Sequence, residues 1–219
     1  MRTLIAFSLT TFALLALPAA ASAQSCLGYP SLSTNHLQVA TDLSFGEHNN
    51  NIGFLYSYGS ESGFGGIGAG SSQLSGGSAT TVRGQVGYQV AASASGRTQL
   101  CPTLSATLGF GPSNTSGPVT DQQSRRYEVG LALGRELRAT GAVRLVPSLQ
   151  VTVAHQNTSF TSGAPVASRN ETDPRVGLSL GIVLNNQLSI RPTISRSMYG
   201  DRADAMFGGG IALNFGGRR

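Results

Sequence analysis

From residue 36 to residue 215 the chain alternates apolar and polar side chains with a period of two, segment after segment. That period puts neighbouring side chains on opposite faces of a strand. Beyond the first two dozen residues no run approaches eighteen consecutive apolar residues, so a helical membrane crossing is excluded and an all-β fold with one apolar and one polar face remains. Leu37, Val39, Thr41, Leu43 and Phe45 share one face; His36, Gln38, Ala40, Asp42 and Ser44 share the other. The pattern recurs over residues 52–58, 82–90, 100–110, 127–133, 145–153, 176–184, 188–194 and 207–215, with a Gly-rich tenth segment at 64–74.

Alternation alone fits a soluble sandwich as well as a membrane barrel. Three features select the barrel. The segments reach about ten residues, the length a tilted strand needs to cross a bilayer. The positions between the apolar ones are mostly Gly, Ser, Ala, Thr and Gln with isolated charges, which suits a crowded, wet lumen. The connections also alternate in length. Those at 61–63, 92–97, 138–141 and 185–186 are short, whereas 111–124, 157–172 and 197–204 are long, polar and expected to lack a core of their own. Short turns on the inner side and longer loops outside are the habit of transmembrane barrels. The fold expected is therefore an antiparallel up-and-down transmembrane β-barrel of about ten strands, or eight if residues 52–74 form one external loop. In this register Phe45, Phe110, Tyr127 and Phe207 mark the external boundary and Tyr58 and Phe215 the internal one.

The N-terminus reads as a secretory leader: Arg2, an apolar run over 4–17, Pro18, and the small-x-small site Ala21-Ser22-Ala23. The expected organisation is a leader over 1–23, a periplasmic segment over 24–35, the barrel over 36–215 and a short tail over 216–219. Cys26 raises a lipoprotein alternative, but Gln24 occupies a position that wants a small or apolar residue. Cys26 and Cys101 are the only cysteines, and an even count in an exported chain favours a disulfide. Cys101 shares the inward parity of its strand near the inner mouth, within reach of the segment before the first strand. Two free buried thiols are the alternative.

Several functions find little support. All basic residues are arginines spread along the chain, with no basic stripe for nucleic acid. Gly63 to Gly68 fits G-x-G-x-x-G but lacks the following helix of a dinucleotide site, and a flexible or bulged strand is the simpler reading. His36, His48 and His155 are too scattered to hold a metal. Neither a catalytic group, a metal nor a cofactor is expected; a hydrolase at the external rim, using His155 and loop acids such as Asp173, is a distant alternative. By parity Asp42, Arg83, Arg126, Glu128, Glu136, Arg144, Arg175 and Arg191 face inward, and buried charges must be paired or hydrated, so a network bridging the lumen is expected.

At the C-terminus Gly210-Ile211-Ala212-Leu213-Asn214-Phe215 resembles the terminal β-signal of outer-membrane barrels, with Gly210 followed three and five residues later by Leu213 and Phe215. Across nearly the whole mature chain the layout resembles the small outer-membrane β-barrel proteins of the outer-membrane protein A type. The resemblance implies a bacterial outer-membrane location, contact with its lipid, and insertion by the barrel-assembly machinery through the last strand. The expected role is structural or surface interaction with a lumen filled by side chains, a narrow passive pore for small solutes being the alternative.

Overall fold

A computed structural model describes residues 25–27, 36–46, 49–59, 63–74, 77–91, 98–111, 121–138, 143–162, 164–185, 187–199 and 205–215. The leader read over 1–23, most of the segment 24–35, the tail 216–219, His48, Asp201 and Asp204 lie outside them. The chain forms ten strands: β1 His36–Phe45, β2 Asn49–Gly59, β3 Gly63–Leu74, β4 Gly77–Tyr88 (resuming as Val90–Ala91), β5 Thr98–Phe110, β6 Asp121–Arg135 (resuming as Leu137–Arg138), β7 Val143–Ser162, β8 Ala164–Leu184, β9 Leu188–Ser197 and β10 Ala205–Phe215. Each pairs antiparallel with the next, and β10 pairs back onto β1, so the sheet closes on itself. Residues 52–74 supply β2 and β3, fully paired from Asn49 opposite Leu74 to Gly59 opposite Phe64, which rules out the eight-strand alternative.

The paired residues also give the stagger of the barrel. From Ile182 in β8 the pairing runs through Ile190, Ile211, Thr41, Phe54, Ala69, Val82, Leu108, Arg125 and Asn157, and returns to β8 at Asn170. One circuit has climbed twelve residues between Ile182 and Asn170. For ten strands this stagger corresponds to a tilt of about 40° and a backbone radius of about 10 Å. The interior is therefore narrow enough for side chains from opposite walls to approach one another.

Period two sorts the faces. Val39, Phe54, Tyr56, Ile67, Val86, Leu104, Val129, Leu131, Val151, Leu178 and Ile211 are exposed on the outer surface, whereas Gln38, Ala40, Ser57, Cys101, Ala132, Val146 and Ala212 are buried inside. Between Phe207 and Phe215 the outward face of β10 runs about 26 Å along the strand. Tilt shortens that rise and the stagger of the other strands widens it, giving an apolar band of about 25 Å, the height such barrels present to lipid. Phe45 and Phe207 are direct cross-strand partners at the outer edge of the band, and Leu37 lies between Phe215 and Tyr58 at the inner edge.

Apart from a one-residue register shift between Ala164 and Ala167 in the β7–β8 hairpin, three prolines mark where the ladder lapses. β4 breaks at Gln89, next to Tyr88, which the register sets opposite Pro102 in β5, and resumes in the same register when Val90 meets Leu100. β6 breaks at Glu136 beside Pro147 and resumes where Leu137 meets Leu145. The pairing of β8 with β9 skips from Ser179–Thr193 to Ile182–Ile190 around Pro192. Proline has no N–H to donate, so each lapse is a missing bond and not an inserted residue.

Two expectations need correction. Residues 157–172 are not a coreless loop: β7 and β8 extend as a hairpin of 20 and 21 residues, with Asn157 opposite Asn170 and Thr158 opposite Arg169. β6 flanks it as far as Asp121 opposite Thr161. Low hydropathy reports the absence of burial, yet backbone pairing and cross-strand bonds such as Asn157 Nδ2 to Asn170 Oδ1 (2.6 Å) hold a polar ladder without a core. The Gly-rich β3 is also a regular strand with no bulge. A Cβ on Gly68 or Gly70 would lie 2.4 Å from the Phe54 carbonyl oxygen or 2.5 Å from that of Ile52, so these positions admit no side chain.

The topology places Gly63 and Asn170 at opposite ends of the wall. With the N-terminus periplasmic, a membrane-impermeant thiol reagent added to intact cells is expected to label Asn170→Cys and spare Gly63→Cys. The reverse pattern would invert the orientation.

Candidate functional site

The inner half of the lumen holds a single turn of 3-10 helix, Ser25–Leu27, packed against β5, β6 and β7. Cys26 and Cys101 are fully buried and joined by a disulfide (Cα–Cα 5.9 Å), which closes a sequence separation of 75. The bridge sits among Phe64 of β3 and Ala132 of β6. Leu27 packs against that cluster and also against Ala40, Leu55 and Ala212, which project from β1, β2 and β10. One short turn therefore touches inward residues of both walls.

A charged contact fixes the same turn. Arg191 of β9 donates through Nη1 to the Leu27 carbonyl (2.8 Å) and through Nη2 to Asp42 Oδ1 of β1 (2.7 Å). β10 lies between those strands, and Gly210 is in register with both Asp42 and Arg191. A Cβ at Gly210 would stand 2.8 Å from Asp42 Oδ1 and 2.6 Å from the Thr41 carbonyl oxygen. The missing side chain at Gly210 thus clears the path by which the guanidinium crosses β10. The other two residues of the C-terminal motif, Leu213 and Phe215, point outward. Lower in the same seam Ser57 Oγ donates to Gln38 Oε1 (3.2 Å), and Gln38 Nε2 donates to Asn214 Oδ1 (2.9 Å). This relay across β2, β1 and β10 is buried, so its bonds satisfy polar atoms that water reaches poorly.

Three further inward ion pairs run along the wall. Arg126 pairs with Glu128 two residues on (3.3 Å), Arg144 with Glu136 across the β6–β7 turn (3.0 Å), and Arg175 with Asp173. Each pair runs along the wall, because same-face neighbours on one strand or adjacent strands are closer than any residue across a barrel of this radius. Arg83 has no acidic partner among the described residues and is exposed. Asp173, read from sequence as a loop acid, lies in β8 and accepts from both Arg175 and Ser197 (Ser197 Oγ to Oδ1, 2.6 Å). Counting back from Val176 by twos would have shown its inward parity once the strand was known to continue. His155 faces outward, with Nδ1 3.0 Å from Thr172 Oγ1. Among the described residues no group of three or more potential metal ligands assembles.

The fold is a closed, ten-stranded, antiparallel up-and-down β-barrel. No protein-family model and no curated protein matches the chain. Solved structures do. The N-terminal barrel domain of Pseudomonas aeruginosa OprF is 12% identical, with 83% of this chain and 98% of that one covered and a TM-score of 0.42. Neisserial surface protein A gives 10%, 83%, 97% and 0.39 in the same order, and the translocator domain of the Neisseria meningitidis autotransporter NalP gives 12%, 84%, 88% and 0.47. The residue-level reading rests on this chain's own ladder and outward band.

Because the Arg191–Asp42 contact depends on an empty position at Gly210, Gly210→Val is expected to cost about 2 kcal/mol of unfolding free energy, less than a fully buried pair because Asp42 is partly exposed. Urea unfolding in lipid vesicles would read it. Asp42→Asn should give a loss of similar size, and the double variant much less than the sum.

Proposed function

We propose that this protein is a closed outer-membrane barrel whose role is structural or surface-interacting, with a lumen shut in its inner half by its own N-terminal turn. The observation that carries the reading is the placement of Cys26 and Leu27: disulfide-bonded to one wall, packed on the other, and held by Arg191. A covalent tie closing a loop of this size removes unfolded-state entropy worth on the order of 4 kcal/mol in the chain-entropy model, so the plug does not leave readily. The disulfide suits the oxidising periplasm that a leader over 1–23 would lead to. The β6–β7–β8 extension would then display polar side chains such as Asn157, Asn170 and Thr172 outside the membrane. The C-terminal strand β10, which closes the sheet against β1, is the element through which the assembly machinery would insert the chain.

A narrow pore is the second reading, favoured by the exposed Arg83 above the plug and by the Gly, Ser and Thr that line the outer half of the lumen. Planar-bilayer recording separates the two. The oxidised protein is expected to show no steady conductance, whereas Cys26→Ser with Cys101→Ser, which frees the turn, should show intermittent openings. Large steady currents from the oxidised protein would establish the pore instead.

A further inference from the structure

Five acidic side chains are described, and each is matched by an arginine: Asp42 by Arg191, Glu128 by Arg126, Glu136 by Arg144, Glu171 by Arg169 and Asp173 by Arg175. Four described arginines have no acidic partner. Arg83 faces the lumen; Arg125, Arg135 and Arg196 are exposed on the outer wall, where none of the described acidic side chains lies. All three lie near the ends of the apolar band: Arg125 directly beyond Tyr127 and Arg196 between Ile194 and Met198 at the external edge, Arg135 between Leu133 and Leu137 at the internal edge. A guanidinium cannot sit in hydrocarbon without a counter-charge, and at this height the available counter-charges are lipid headgroups.

Arg125 has the most developed surroundings. It lies opposite Leu108 on β5 and Asn157 on β7, with Tyr127 and Gln123 as its outward neighbours on β6. His155, opposite Tyr127, is exposed on the same face. Leu108, Phe110, Gln123, Arg125 and Tyr127 line a shallow cleft of about 250 Å³ that opens on the lipid side. Tyr127 and Leu108 form its lower, apolar part, and Arg125, Gln123 and Phe110 its upper part. We propose that this cleft binds the headgroup of a phosphorylated, multiply acylated glycolipid of the outer leaflet. The Arg125 guanidinium pairs with the phosphate, the Gln123 amide donates to the same headgroup with Phe110 flanking it, and Leu108 and Tyr127 pack against the first methylenes of the acyl chains. Arg196, three strands round the wall, makes a secondary contact with the same leaflet.

The test uses the folded, disulfide-bonded protein in nonionic detergent, titrated with bis-phosphorylated lipid A, with the same lipid dephosphorylated, and with phosphatidylethanolamine. Bound lipid is counted by native mass spectrometry. Variants are compared only if they keep the heat-modifiable gel mobility of the native barrel, so misfolding is scored separately. Wild type is expected to retain the phosphorylated lipid preferentially. Arg125→Gln should lower its apparent affinity by about fivefold, Arg125→Lys should restore most of it, and Arg135→Gln, at the opposite boundary, should leave it unchanged. Equal retention of the dephosphorylated lipid, an unchanged affinity in Arg125→Gln, or displacement by millimolar inorganic phosphate would overturn the assignment. None of these outcomes depends on whether the lumen conducts.

Discussion

The pairing of β1 with β10 is the contact on which the rest of the structure depends. A strand edge left open in hydrocarbon exposes a row of N–H and C=O groups with no water to satisfy them, at several kcal/mol each. Closure removes that cost, and it imposes the twelve-residue stagger, the tilt and the radius together. The seam is correspondingly well tied, since Phe45 meets Phe207 on the outside while Gln38 meets Asn214 on the inside. Even the lapses obey the constraint. Pro102, Pro147 and Pro192 each remove a single donor without shifting the register, so no edge is opened.

Closure also explains why small residues gather inside. In a barrel of about 10 Å radius the inner surface is crowded, and Gly68, Gly70, Gly208 and Gly210 stand where a Cβ would meet a neighbouring strand's carbonyl oxygen. At Gly210 that emptiness has a further consequence, because it lets Arg191 reach Asp42 across an intervening strand and hold the Leu27 carbonyl as well. A residue that reads as part of a C-terminal assembly signal is thereby also part of the contact that anchors the N-terminal turn. Both chain ends converge on one stretch of wall.

Much of this was legible in the sequence, and the failures have a common cause. Period two distinguishes the lipid face from the lumen face because the two solvents differ in polarity, whereas the Gly-rich β3 was settled only by its pairing, since eight strands and ten are both even. Hydropathy is blind to a ladder that has no core, so 157–172 read as loop and Asp173 as a loop acid, although both belong to long paired strands. Parity likewise tells which residues face inward but not which of them meet. That Arg191 crosses Gly210 to Asp42, that Arg175 turns to Asp173, and that Leu27 touches both walls depend on the stagger, which only the register reveals. The outward arginines were visible as residues, but they stood out only once every described acid had found its partner elsewhere.

The seam itself can be measured. Thr41 and Ile211 are direct cross-strand partners on the outer face. In a chain whose native cysteines are replaced by serine, Thr41→Cys with Ile211→Cys is expected to form an intramolecular disulfide in the membrane while the protein keeps the folded mobility of a barrel on unheated gels. A control pair on opposite walls, Thr41→Cys with Leu131→Cys, should not cross-link. Failure of the seam pair to cross-link in folded protein, or cross-linking only between separate chains, would contradict a closed ten-stranded barrel.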